Sequence, residues 1–180
     1  HSASTMAIGD RGLQIVDLCS GSGVLAIALA RAIPHATVHA VELSDEAMPY
    51  LRKNIAELSP EVQITQGSVA HWASEVETSS VDVVVSNPPY VPDAEIPNDP
   101  EVQLFDPALA LYGGEDGLDA VRVIVDGAFR AVRPGGVLIL EHSNLQGAAV
   151  REVFEGYGFR TVSTEKDLVG RDRFTQGYRP

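Results

Sequence analysis

The 180 residues, 44% hydrophobic and 21% charged, fit one ordinary globular domain and argue against disorder. A formal charge of −12 counts against broad binding to phosphate backbones, which takes clustered Lys and Arg. No apolar run reaches the ~18 residues of a membrane-spanning helix, and a lone cysteine, Cys19, excludes an internal disulfide or a cysteine zinc site and suits a reducing compartment.

The stretch His1–Met6 lacks the basic end and apolar core of a secretory signal and reads as a tag remnant, with 1–12 expected to be a leader. Apolar runs then alternate with helix-period segments, the pattern of an α/β protein with a parallel sheet. Leu13–Leu18 is predicted as a buried strand, Gly21–Gly23 as a turn, and Val24–Ile33 as a helix stopped by Pro34. Thr37–Glu42 follows as a second strand. Ser44 is a candidate N-cap for a helix to about Leu58, with Pro49 moving its regular part toward Ala47. Gln63–Gln66 and Val81–Ser86 are the third and fourth strands. The connection from Asn87 to Gly117 holds six prolines and reads as irregular and functional. Leu118–Val132 returns to helix period and ends at Pro134-Gly135-Gly136. Val137–His142 is the fifth strand, Gln146–Tyr157 a helix closed by Gly158, and Arg160–Lys166 with Arg173–Tyr178 a terminal hairpin around Gly170.

The first chemical signal is Asp17-Leu18-Cys19-Ser20-Gly21-Ser22-Gly23, between a strand and a helix. Glycines there let the backbone approach a ligand, and the helix N-terminus offers free N–H groups. Glu42 ends the next strand, where a carboxylate accepts hydrogen bonds from both hydroxyls of a ribose. A dinucleotide fingerprint would need a third glycine where Ala26 stands, a substitution that some dinucleotide folds allow. Asp17 tips the choice toward S-adenosylmethionine: a carboxylate is favourable beside a sulfonium and an ammonium and unfavourable beside a pyrophosphate. Cys19 has no cation beside it in sequence and reads as a small packed residue of this loop.

The second signal is Asn87-Pro88-Pro89-Tyr90, directly after the fourth strand. Two prolines stiffen the backbone and delete two N–H donors. The acceptors left are the Asn87 side-chain carbonyl and the Pro88 main-chain carbonyl, a pair suited to holding a planar –NH₂ group by both hydrogens. Tyr90 offers a ring face to the flat group behind that nitrogen. Such a grip raises electron density on a poor nucleophile, aims it, and stabilises the positive charge it gains.

With these motifs the sequence resembles class I S-adenosylmethionine-dependent methyltransferases, and more closely the HemK-type protein-glutamine methyltransferases of peptide chain release factors. Val81-Asp82-Val83-Val84-Val85-Ser86-Asn87-Pro88-Pro89-Tyr90-Val91-Pro92 is similar to that family's motif and flanks. Phe105-Asp106-Pro107-Ala108-Leu109-Ala110-Leu111, Gly113-Gly114-Glu115-Asp116-Gly117-Leu118, Leu140-Glu141-His142 and Gln146-Gly147 continue the likeness. The resemblance implies a Rossmann-like fold with a seven-stranded, mostly parallel sheet, helices on both faces and an antiparallel C-terminal hairpin. It implies Asp17, Cys19, Gly21, Gly23, Glu42, Ser68 and Asn87 as cofactor-binding residues. Cys19 stands where the family usually has glycine, and Ser68, where relatives often carry an acid near the adenine, is with Val69 a weak candidate. Asn87, Pro88 and Tyr90 are implied as catalytic residues, with Pro89 completing the substrate grip. The implied reaction methylates the side-chain amide nitrogen (N5) of the glutamine in a Gly-Gly-Gln segment of a release factor, releases S-adenosylhomocysteine, and takes place in the cytoplasm without metal. Family members carry an N-terminal helical domain and a Pro-Arg-Pro-type segment over the cofactor; neither is in this sequence. The expectation is therefore a catalytic domain over 13–180 with a weaker hold on cofactor and protein partner.

Three rivals stay open at this stage: an adenine-N6 nucleic-acid methyltransferase using the same tetrad, a non-catalytic cofactor-binding module, and an NAD-dependent oxidoreductase. Among other residues, His35, His39, His71 and His142 lack metal-ligand spacing, and His142 is weighed between substrate contact and packing. Asp82 reads as ending strand pairing, and Trp72 and Phe105 as core or loop anchors. Asp93, Glu95, Asp99 and Glu101 form either a solvated loop or a docking surface for a basic protein.

Overall fold

The computed structural model describes residues 12–95 and 107–180. All of the expected leader except Gly12 falls outside them, as do Pro97, Asp99, Pro100, Glu101 and Phe105.

Seven strands form one sheet: β1 (Leu13–Leu18), β2 (Ala36–Glu42), β3 (Gln63–Gln66), β4 (Val81–Ser86), β5 (Val132–Glu141), β6 (Arg160–Lys166) and β7 (Asp172–Tyr178). Their order is β3-β2-β1-β4-β5-β7-β6. The first five run parallel, and β7 is antiparallel to both β5 and β6. The helices are α1 (Val24–Ala32), α2 (Met48–Leu58), α3 (Val69–Glu75), α4 (Ala108–Leu111), α5 (Asp119–Ala131) and α6 (Gly147–Tyr157).

The period of two in a strand builds the layers. In β1, Ile15 packs with Ala26, Ile27 and Ala30 of α1 and Leu51 and Ile55 of α2. Its neighbour Val16 belongs to the opposite core, with Trp72 of α3, Val121, Ile124 and Val125 of α5, and Val150 and Phe154 of α6. Both faces of the parallel strands are thus covered, which is why they read as nearly continuous apolar runs. The chain winds one way through β1, β2 and β3 and the other way through β4 and β5. The strand order therefore reverses between β1 and β4, and a crevice opens there at their carboxyl ends.

Several local expectations are corrected. α3 has no counterpart among the predicted elements: Ser68 caps it, its Oγ accepting from His71 N at 3.1 Å, and Trp72 and Ala73 are its only buried positions. Seven mostly small and polar residues give too short a periodic signal. α4 interrupts the connection read as irregular. β5 begins at Val132, not Val137, and ends at Glu141; Pro134-Gly135-Gly136 forms an irregularity inside it, between the pairs Val81↔Val132 and Val83↔Val137. Gly135 at φ +78° makes that detour possible, and Arg179 stitches it, its N–H donating to Gly136 O and its carbonyl accepting from Gly135 N. Asp82 does not end the pairing: it is buried in β4, accepts from Gln14 N at 2.7 Å and is ion-paired with Arg133. α2 starts at Met48 with Ala47 before it, where Pro49 points, so only the Ser44 cap is corrected: its Oγ accepts from Ala47 N at 3.2 Å in the preceding turn.

Candidate functional site

Asp17, one residue from the end of β1, is fully buried. Its Oδ2 accepts from Ala26 N at 3.1 Å. That bond caps the first turn of α1, which starts from Gly23 at φ +89° with no side-chain cap and no acid in its first turn. Oδ1 is buried without a hydrogen-bond partner. Burial pushes the Asp17 carboxyl up to about 7; hydrogen bonds from Ala26 and Ser20 pull it back, and the charge of Glu42 adds to the rise. A buried carboxylate oxygen with no donor favours a cationic or N–H-bearing group beside it.

Glu42 ends β2 with its carboxylate turned back on the glycine turn. Oε2 accepts from Gly21 N and Oε1 from Ser44 N, both at 2.7 Å. Each oxygen keeps a second lone pair for a hydroxyl. Gly67 N donates to Glu42 O at 2.8 Å, which brings the start of α3 to the same edge. Cys19 stands at φ +59°, the left-handed conformation that favours glycine. Burial pushes its thiol up to about 12, with the charges of Glu42 and Asp17 adding to the effect against a hydrogen bond with Ser86. A thiol held that high is little ionised near neutral pH, in line with a loop residue that packs rather than reacts.

These groups line a cleft of about 1640 Å³ at the carboxyl edge. Of the residues expected from sequence, Asp17, Cys19, Gly21, Glu42, Ser68, Asn87 and Pro89 are on its wall, with Val69; Gly23, Pro88 and Tyr90 are not. Gly23 serves the fold: a Cβ there would come within 2.7 Å of Leu51 Cδ1. The wall also carries Glu46, Asp119 and Glu141, which no motif in the sequence assigns to the site. Five carboxylates and no Lys or Arg therefore face the cleft among the described residues. That field suits a cation and opposes a pyrophosphate or a nucleic-acid backbone. Among the described residues no cluster of His, Cys, Asp and Glu could hold a metal ion, and no helix is long and apolar enough to cross a membrane.

The tetrad follows β4, the strand next to β1, so it starts beside the glycine turn. Ser86 Oγ donates to Leu18 O at 2.7 Å, fixing the end of β4 against the end of β1. Asn87 is exposed toward the cleft and Pro88 is buried. Tyr90 is half-buried, and its phenol is pushed up by burial and by Glu141, against a hydrogen bond and charge from Arg173. The chain then pairs with the glycine loop: Val91 N donates to Leu111 O at 2.8 Å, and Gly113 N to Val91 O at 2.9 Å. His142 is fully buried and off the cleft wall. Its Nδ1 contacts Ser143 O at 2.7 Å, so Nδ1 carries a proton, and Nε2 meets Thr175 Oγ1 at 2.9 Å. Burial pushes its pKa below the usual imidazole range; its place in the core, away from the cleft wall, favours packing over substrate contact.

Known proteins share this layout. Residues 4–111 match the family described as Methyltransferase small domain. Over 162 residues the chain is 44% identical to a release factor glutamine methyltransferase of Streptomyces coelicolor, covering 89% of this chain and 57% of that protein. It is 45% identical over 171 residues to one of Mycolicibacterium smegmatis, covering 94% and 60%. A 4-amino-L-phenylalanine/4-methylamino-L-phenylalanine methyltransferase of Streptomyces pristinaespiralis is 42% identical over 144 residues, covering 80% and 48%. The chain thus spans less than two thirds of the length of these relatives. Among solved structures, a methyltransferase from Pyrococcus furiosus superposes with a TM-score of 0.70 at 21% identity, covering 94% of this chain and 76% of that one. The family match takes in both the glycine turn with its strand-end acid and the proline tetrad at the end of the neighbouring strand, and on it this chain belongs to the methyltransferase small domain family.

Proposed function

We propose that this chain transfers a methyl group from S-adenosylmethionine to the side-chain amide nitrogen (N5) of a glutamine in a Gly-Gly-Gln segment of a peptide chain release factor. One observation carries the reading: a cleft that among the described residues is lined by five carboxylates and no Lys or Arg has Asn87 and Pro89 on the same wall as the glycine turn's Gly21. The names and identities of the release-factor relatives support the choice of acceptor.

The residues fit the cofactor. The unpartnered Oδ1 of Asp17 would accept from its ammonium, the free lone pairs of Glu42 would take the ribose hydroxyls, and the stretch from Gly67 to Val69 would border the adenine. Gly21 would let the turn approach it closely, Gly23 would shape that turn from the core side, Cys19 would line the same wall, and Asn87 would border the methyl-bearing end. When bound, S-adenosylmethionine supplies an electrophilic methyl group and leaves as S-adenosylhomocysteine.

The chain's own work is on the acceptor. The Asn87 side-chain carbonyl, on the cleft wall, takes one amide N–H; the Pro88 main-chain carbonyl and the Tyr90 ring, which that wall does not include, would take the other N–H and the amide plane once the acceptor is seated, while Pro89 keeps the pair rigid. The nitrogen becomes richer in electrons and is aimed, and its developing positive charge is met by two oxygen dipoles. The amide proton then passes to water. No strong base is needed at the attack.

A small aryl amine is a second reading, supported by the relative whose name specifies 4-amino-L-phenylalanine; an aryl amine presents the same planar –NH₂. The acidic wall speaks against a nucleic-acid acceptor, and the lone cysteine suits a cytoplasmic setting. The test incubates the protein and labelled cofactor with a release factor, with 4-aminophenylalanine and with DNA, and maps the label. Label on the glutamine of Gly-Gly-Gln is expected. Label in DNA alone, or on the free amine alone, would overturn the release-factor assignment.

A further inference from the structure

We infer that Gln146 is a positioning residue that holds the proline tetrad in its working shape. The inference rests on the reading of Asn87-Pro88-Pro89-Tyr90 as the acceptor grip. Two consecutive prolines have no N–H, so the tetrad cannot be anchored through its own central donors. It must be held through its carbonyls and through the residues that follow it.

Gln146 does this from the start of α6. Its Nε2 donates to Tyr90 O at 2.9 Å and lies 3.4 Å from Asp116 O and 3.5 Å from Gly117 O. Its Oε1 accepts from Ser143 N at 3.0 Å, which fixes which end of the amide faces the tetrad. Its own carbonyl accepts from Val150 N at 2.9 Å, so the helix holds the residue from below. One neutral side chain thus joins the end of β5, the tetrad and the glycine loop, across 56 residues of sequence.

The glycines leave no slack. A Cβ at Gly113 would lie 2.7 Å from Pro89 O, and one at Gly117, whose φ is +73°, would overlap Tyr90 O. The loop therefore seats directly on the tetrad backbone, and the pairing of Val91 with Tyr112 extends the contact. With Tyr90 O held by Gln146, the backbone that follows the two prolines is pinned at its last carbonyl. Gln146 acts on the tetrad from behind, since it is not on the cleft wall itself.

The experiment compares wild type, Gln146→Leu, Gln146→Glu, Gly117→Ala and Asn87→Ala. Backbone hydrogen exchange is read at Val91, Asp93 and Gly113, with S-adenosylhomocysteine affinity and with kcat and KM on a release factor. Gln146→Leu and Gln146→Glu should speed exchange at those amides and lower kcat roughly 10–100-fold. Cofactor affinity should stay within about twofold, because Gln146 is off the cleft wall. Gly117→Ala should repeat this signature and stands in should either Gln146 variant fail to fold. Unchanged exchange at all three amides overturns the inference whatever the protein methylates. So does a fall in cofactor affinity parallel to kcat, which would mean that Gln146 acts through the whole fold. The proposed function fails separately: wild type would leave the release factor unmodified, or Asn87→Ala would keep full transfer, and the exchange data would still decide the role of Gln146.

Discussion

Replacing Asp17 by asparagine tests the electrostatics of the cleft. Burial raises this carboxyl to about 7 from 3.8, so holding it ionised in the fold costs about 4 kcal/mol at about 1.4 kcal/mol per unit. The unfolded chain gives up this proton near pH 4 and the folded chain near pH 7. Between those values the folded state holds more protons, so the Asp17 contribution is fully present below pH 4, falls as pH rises, and levels off above pH 7. The amide of Asp17→Asn stays neutral at every pH. The variant should therefore gain stability on wild type steadily from pH 4 to 7, by about 2–4 kcal/mol at pH 8 once partial relaxation is allowed for. Urea midpoints from pH 4 to 8 measure the difference. A cationic ligand reverses the preference, because it is favoured by the ionised carboxylate. Wild-type affinity for S-adenosylmethionine should weaken about tenfold per unit as pH drops below 7, and the variant should bind weakly without that slope. Calorimetry in two buffers of different ionisation heat should detect proton release in wild type alone near pH 6. A stability difference that stays flat between pH 5 and 8 would refute the reasoning, since Asp17 would then titrate as an ordinary surface acid.

Other outcomes follow from single contacts. Asn87→Ala should abolish methyl transfer by about 10²–10³-fold or more while cofactor affinity, followed by calorimetry, changes little. Gly23→Ala should destabilise by about 2–4 kcal/mol in chemical denaturation, since the residue sits at φ +89° and its Cβ would press on Leu51 Cδ1. Phe154→Ala should cost about 3–5 kcal/mol, because the ring is fully buried and packs 5.3 Å from Phe159. The Cys19 thiol, pushed up to about 12, should react slowly with a thiol reagent at pH 8 in the folded protein and at once in denaturant; equal rates in the two states would contradict the raised thiol.

What lies in short stretches of sequence was legible. The strand–glycine turn–helix unit from Leu13 to Ala32 and the acid at Glu42 carry their information in local periodicity and turn chemistry. So do the valine strand before Asn87 and the hairpin around Gly170. The acidity of the chain counted against a phosphate backbone as partner. Tertiary structure decided which atoms are left over. Asp17 could be read as a cofactor acid, but that Ala26 takes Oδ2 and nothing takes Oδ1 follows only from how α1 lies on β1. Glu46 and Asp119 gave no signal in their own segments, and they reach the site because the strand order reverses beside β1. The start of β5 was misjudged because Pro134-Gly135-Gly136 looks locally like a stop, while Arg179, far along the chain, supplies the partners that keep it in the sheet. Gln146 stands in a stretch that resembles the family's, and its own segment carries no sign of a role. Its bond to Tyr90 spans 56 residues, and no periodicity records a contact between segments that meet only when the sheet closes.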